Sequence, residues 1–240
     1  MFNMKKISLF IVLILFSASA QEKVTIEKLF RGEFSGEFFK SVSWTESGHT
    51  YYKMEDGTDG SQIFKVDIST GNKTLLAETK DFVPEGKNTP LGLNDFKFSK
   101  SGKYILIYTN TKRVWRVNSK GDYWVYNTES KKLRQLGGSD AKPSTLQFAK
   151  IDPTEKYAAY VREHNLYLED LESGTIKALT TDGSRTIING TFDWVYEEEF
   201  GIRDGFRWSP DGSRIAFWRL DAKNIKDFLM INNTDSLYSY

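Results

Sequence analysis

Arg207-Trp208-Ser209-Pro210-Asp211-Gly212 runs a bulky ring into a tight polar turn, and an apolar strand pattern follows over 215–218. The same phrase stands three more times. Ser43-Trp44-Thr45-Glu46-Ser47-Gly48 precedes Tyr51-Tyr52, Lys97-Phe98-Ser99-Lys100-Ser101-Gly102 precedes 104–108, and Lys150-Ile151-Asp152-Pro153-Thr154-Glu155 precedes 157–161. The last residues of successive phrases are 54, 53 and 57 positions apart. Pro at the second position of a turn and Gly at its end are what a hairpin turn favours. A fixed period of this kind is the signature of an architecture built from equal units.

A second pattern follows inside each complete unit. The run 63–67 leads to Ser69-Thr70-Gly71 and Leu75-Leu76, the run 123–127 to Glu129-Ser130-Lys131 and 133–136, and the run 166–170 to Glu172-Ser173-Gly174 and 176–179. This reads as strand, turn, strand, with Asp or Asn closing the first. β-branched and aromatic residues fill the runs and helical periodicity is scarce. Each unit thus predicts about four antiparallel strands, one blade of a β-propeller. An unrelated β-sandwich would have to match three spacings and both half-patterns by chance. The fold expected is all-β, a partial propeller of about three and a half blades over residues 21–240. Propellers close with about 4–8 blades, so the reading expects the chain to be incomplete.

Composition narrows the chemistry. The 240 residues carry 33 Lys and Arg against 32 Asp and Glu, a formal charge of +1, so no global electrostatic case exists for nucleic acid or an anionic membrane as partner. Cys is absent, which removes disulfides and thiolate chemistry. His49 and His164 are the only histidines, too few for a self-contained His-dependent active site. No P-loop, H-E-x-x-H or EF-hand loop is present, and Asp211-Gly212 is a turn, so neither cofactor nor metal is expected. Asn72, Asn189 and Asn232 head N-x-T sequons.

Residues 1–20 read as a signal peptide. Lys5 and Lys6 precede an apolar run over 7–16, and Ala18-Ser19-Ala20 supplies small residues for cleavage. The run is too short to span about 30 Å of hydrocarbon as a helix, although an uncleaved anchor is the alternative. The expectation is export to the periplasm or the medium, with no membrane contact after cleavage.

Two segments depart from the repeat, and departures carry function. The first, 112–120, lengthens the second unit and holds Trp115-Arg116. The second is Thr191-Phe192-Asp193-Trp194-Val195-Tyr196-Glu197-Glu198-Glu199-Phe200. Its three consecutive carboxylates lie among Trp194, Val195, Tyr196 and Phe200, side chains expected to seek burial. Acids clustered at low dielectric need a cation. Neighbours on a helical turn are about 100° apart, so two of the three can flank one ammonium. An ammonium about 4 Å from a carboxylate gains about 4 kcal/mol at an effective dielectric of 20, before desolvation. A solvated acid run, or a structural partner such as Arg203, is the plainer reading. Arg116 offers a fork of donors for carbonyl or carboxylate oxygens, and read alone it is an ordinary exposed strand-end Arg.

The string Asp193-Trp194-Val195-Tyr196-Glu197-Glu198-Glu199, with the Arg207-to-Gly212 phrase after it and Trp115-Arg116 before it, resembles the dipeptidyl peptidase IV branch of the prolyl oligopeptidase family. The resemblance runs from about Leu29 to Tyr240. The acidic string is specific; Ser-Pro-Asp-Gly is generic to propellers. In that family an eight-bladed propeller caps a C-terminal α/β-hydrolase domain. The resemblance implies that Glu198 and Glu199 grip the free amino terminus of a peptide substrate. It further implies that Arg116 contacts a substrate carbonyl oxygen, so that cleavage falls after a penultimate Pro or Ala. The implied partners are peptides with a free N-terminus, the chain's own C-terminal hydrolase domain and a second copy in a homodimer. No catalytic residue is expected in this segment, which lacks a G-x-S-x-G elbow, and the segment alone is expected to be inactive. A tripeptidyl exopeptidase of the same family and a non-catalytic propeller that binds partners are the alternatives.

Overall fold

The computed structural model describes residues 23–36, 42–58, 60–139 and 141–234; the predicted signal peptide lies outside them. The chain divides into an N-terminal unit, 1–40, and a larger unit, 41–240. Within the described part of the first unit, Thr25 caps the short helix α1 (Ile26–Phe30) by accepting a hydrogen bond from the Lys28 amide.

The second unit is built from antiparallel strands. Blade one is β1 (Val42–Trp44), β2 (Thr50–Gly57), β3 (Gly60–Asp67) and β4 (Lys73–Glu78), paired in that order. Blade two is β5 (Asp95–Phe98), β6 (Tyr104–Val114), β7 (Val117–Asn127) and β8 (Leu133–Gln135). Blade three is β9 (Leu146–Ile151), β10 (Tyr157–Arg162), β11 (Asn165–Asp170) and β12 (Ile176–Ala178). A single pairing, Gly121 with Leu146, joins β7 to β9. The fourth repeat contributes two antiparallel pairs. One joins β13 (Ile187–Asn189) to β16 (Arg219–Asp221); the other joins β14 (Phe206–Trp208) to β15 (Ile215–Phe217). This is the partial propeller that the repeat predicts.

The four phrases fold alike because each makes the same two backbone bonds. The amides of Thr45, Ser99, Asp152 and Ser209 donate to the carbonyls of Thr50, Tyr104, Tyr157 and Arg214. Those of Gly48, Gly102, Glu155 and Gly212 donate back to Thr45, Ser99, Asp152 and Ser209. The closing residue has positive φ in all four, between 61° and 84°. Gly adopts that conformation freely. Glu155 does so while its carboxylate accepts from the Ser101 amide and hydroxyl, tying the turn of blade three to that of blade two. The second pattern is equally uniform. Oδ1 of Asp67, Asn127 and Asp170 accepts from the amides two and three residues on, which is why Asp or Asn ends the strand.

The core lies between blades. Alternate residues of a strand point to opposite faces, so Ile105 and Ile107 of β6 pack with Ile63, Ala77 and Phe82, while Tyr104 and Leu106 pack toward Leu146, Ala158 and Tyr160. On β10, Ala159 and Val161 turn the other way, toward Leu166 and Phe206. One buried polar latch crosses the second of these interfaces. Glu169, fully buried, takes hydrogen bonds from Arg134, from the Gly137 amide at 2.8 Å and from the Tyr160 hydroxyl at 3.1 Å.

Candidate functional site

Both departures from the repeat fold as excursions. The first extends the β6–β7 hairpin. Val114 pairs with Val117, leaving Trp115 and Arg116 as its two-residue tip. Trp115 takes φ +53°, unfavourable for a bulky side chain, and Arg113 Nε steadies it by donating to the Trp115 carbonyl at 2.9 Å. At the base, the Tyr108 hydroxyl donates to the carbonyls of Asn118 and Lys120.

The second excursion leaves the sheet at Thr191 and returns at Asp204, which form an isolated bridge. Its neck is narrow. A Cβ on Gly205 would stand 2.9 Å from the Gly190 carbonyl, so Gly is required for this approach. Between them lies helix α2 (Trp194–Glu199). Asp193 caps it, its carboxylate accepting from the Tyr196 amide at 3.2 Å. Phe192, buried, stacks on Tyr196 with ring centroids 5.4 Å apart and sets the entry angle.

The helical turn separates the three acids. Glu197 is buried, and Arg203 Nε lies 3.8 Å from its carboxylate while donating from Nη2 to its carbonyl at 3.2 Å. Burial, opposed by Arg203 and reinforced by Glu198, raises the Glu197 pKa above the usual carboxylate value. Glu198, whose side chain is only 5% exposed, forms an ion pair with Nε of Arg116 from the other excursion. Its Oε1 is buried and has no hydrogen-bond partner. Glu199 points to the exposed side.

Of the three expected site residues, Arg116 and Glu198 are thus in direct contact, and Glu199 follows Glu198 on the same helix. Arg203 takes the structural role weighed for it, but on Glu197. Burial of the flanking side chains is overturned: Trp194, Val195 and Phe200 are 49%, 45% and 65% exposed. The side chains that meet the two sequestered acids are instead Arg203 at Glu197 and Arg116 at Glu198.

His49 is exposed in its blade turn. His164 lies in the two-residue turn between β10 and β11, not on the strand, with positive φ there and at Glu163. Its Nδ1 is buried without a partner, and burial lowers its pKa. Asn189 is fully buried and donates to the His164 carbonyl and the Asp182 carboxylate, so that sequon is closed to a glycan; Asn72 and Asn232 are exposed. Two residues that sequence reasoning missed are Lys150 and Asp204, joined across the neck at 2.5 Å.

The chain is similar to known proteins. The family model of the dipeptidyl peptidase IV (DPP IV) N-terminal region matches residues 99–240, more than half of the chain. Dipeptidyl aminopeptidase B of Saccharomyces cerevisiae is 33% identical over 172 residues, 71% of this chain and 20% of the yeast protein. Dipeptidyl peptidase 4 of Trichophyton tonsurans is 31% identical over 189 residues, 78% of this chain and 23% of that protein. The chain therefore spans about a quarter or less of these relatives' length. The crystal structure of Porphyromonas gingivalis dipeptidyl peptidase 4 superposes with a TM-score of 0.75 at 23% identity, over 91% of this chain and 30% of that one, a likeness of fold. The chain belongs to the dipeptidyl peptidase IV N-terminal-region family.

Proposed function

We propose that this chain is the propeller portion of an exported serine exopeptidase that releases Xaa-Pro or Xaa-Ala dipeptides, and that its own task is to hold the substrate's free amino terminus. The observation that carries the reading is the meeting of Arg116 with a nearly buried Glu198 that keeps one oxygen unpartnered. Charge supports it. Glu197 is balanced by Arg203, and the nearby Asp193 and Lys120 offset each other, which leaves Glu198 and Glu199 against Arg116. One ammonium restores neutrality, and Glu198 Oε1 accepts from it. Arg116, already aimed at the site, has further donors for a carbonyl oxygen one residue along the peptide. A fixed amine site and a fixed carbonyl contact measure length from the N-terminus.

The names of the relatives, dipeptidyl aminopeptidases and peptidases, favour two-residue release. Residues 1–240 contain no G-x-S-x-G elbow, so we assign bond cleavage to a hydrolase domain elsewhere in the protein, and expect these 240 residues alone to be inactive. The export signal read at Lys5, Lys6 and 7–20 fits an enzyme acting on external peptides.

The test is steady-state kinetics of Glu198→Ala and Glu199→Ala in the full-length protein. Glu198→Ala should lower kcat/KM toward Xaa-Pro substrates about a hundredfold or more, the cost of removing one partner of a desolvated charge pair, and Glu199→Ala, at the exposed side, by a smaller factor. Unchanged kinetics in both variants would sink the assignment.

A further inference from the structure

We propose that the Lys150–Asp204 ion pair is a clamp that positions the acidic helix, so that the grip on the substrate amine depends on a residue of the blade scaffold. This rests on the reading of Glu198 and Glu199 as the amine site.

Asp204 holds the point where the excursion closes: it bridges to Thr191, and Gly205 beside it is pressed against Gly190. One carboxylate oxygen takes Lys150 Nζ at 2.5 Å and the other takes Arg207 at 2.9 Å. Lys150 and Arg207 open the third and fourth repeat phrases. Two equivalent scaffold positions have therefore converged on one residue of the excursion. Lys150 is fully committed there. Its ammonium also donates to the Phe148 carbonyl at 3.2 Å and lies 3.5 Å from the centroid of the Phe206 ring. The next residue along, Arg203, grips Glu197 by carboxylate and carbonyl. A continuous path thus runs from β9 through Asp204 and Arg203 to the turn of α2 that aims Glu198. Nothing in it touches substrate, so Lys150 is a positioning residue.

The clamp carries a pH signature. Burial lowers Lys150 to about 8, against the opposing pull of Asp204, and Arg207 and Lys97 push the same way as burial. Asp95, Tyr108 and Tyr123 face the same cavity, of about 190 Å³. As pH rises through 8 the ammonium is lost and the charge-assisted bond to Asp204 weakens. Global stability moves oppositely. A lysine whose pKa is lowered on folding costs the folded state while charged, so its contribution improves between 8 and the ordinary 10.5. Loosening of the amine site is therefore separable from unfolding.

The experiment measures kcat and KM for an Xaa-Pro substrate from neutral to alkaline pH in the full-length protein, for wild type, Lys150→Met, Lys150→Arg, Asp204→Asn, the Lys150→Met/Asp204→Asn double variant, Glu198→Ala and Glu199→Ala. Lys150→Met should raise KM about tenfold or more, with kcat within about twofold, as for a site displaced but intact. Lys150→Arg should restore KM at neutral pH and leave only the alkaline rise of the substrate's own amine. The double variant should cost little more than either single change. A wild-type KM in Lys150→Met, a Lys150→Arg pH profile identical to wild type, or kcat lost in step with melting temperature would each overturn the clamp while the amine site stands. Unchanged kinetics in both Glu199→Ala and Glu198→Ala would instead remove the amine site, and the clamp with it.

Discussion

The blade turns and the two excursions treat their polar groups in opposite ways. In the four turns every repeat makes the same pair of backbone bonds, and Ser99, Asp152 and Ser209 bond further amides with their side chains. In the excursions buried polar atoms stand without hydrogen-bond partners: Ser119 Oγ on the first, and Glu197 Oε2, Glu198 Oε1 and Arg203 Nε on the second. A buried polar atom left unpaired costs about 1–3 kcal/mol. The four repeat turns avoid that cost and the excursions accept it at four atoms, whereas the blades meet it only at scattered positions, Tyr126 Oη, His164 Nδ1 and Asn189 Oδ1, among the described residues. The gathering of such atoms on two excursions that meet at Arg116 and Glu198 is what supports the proposed ligand site.

The sharpest way to break the comparison is to remove one carboxylate of each kind. Glu169 is satisfied on all sides between blades two and three. Glu169→Ala should destabilise the protein by about 3–5 kcal/mol, because Arg134 loses its ion pair, keeping only the Asp170 and Leu171 carbonyls, and the Gly137 amide is left unpaired, as read by denaturant unfolding. Glu198→Ala should leave the unfolding midpoint unchanged or raised, while abolishing substrate capture. Equal destabilisation by both would erase the distinction between scaffold and site.

A smaller effect tests the turns alone. Asp67 is held at about 2 by the hydroxyl of Ser69 and by Thr70. An acid whose pKa is lowered on folding contributes stability above its unfolded value of 3.8, and that contribution is lost as pH falls toward 2. Asp67→Ala should therefore flatten the acid limb of the stability profile between those values and leave amine binding untouched. A limb as steep as wild type would show that this turn bond does not survive in solution.

The scaffold was readable because its turns need particular residues: Asp or Asn to cap two amides, Gly for positive φ. Even Glu155, which breaks the Gly rule, keeps the spacing. The acidic helix was readable as chemistry but not as orientation. Three consecutive Glu differ only by rotation about the helix, and it takes Arg203 and Arg116 to show that Glu197 faces inward and Glu198 toward the hairpin tip. Expecting Trp194, Val195 and Phe200 to be buried took apolar character for depth, and apolar side chains are common at surfaces. Lys150 and Asp204 were missed for a different reason. The signal for Lys150 was present, since Lys97, Lys150 and Arg207 share one register of the repeat, but only the folded neck shows that two of them close on the same carboxylate.

If the acidic excursion recognises an ammonium, as proposed, blocking the substrate's amine must abolish the advantage that Glu198 confers. The direct measurement is kcat/KM of the full-length protein for an Xaa-Pro peptide with a free amino terminus and for the same peptide N-acetylated, in wild type and in Glu198→Ala. Wild type should lose about a hundredfold or more on acetylation, and the variant, whose site no longer distinguishes the two, much less. Equal turnover of both peptides by wild type would contradict recognition of the ammonium.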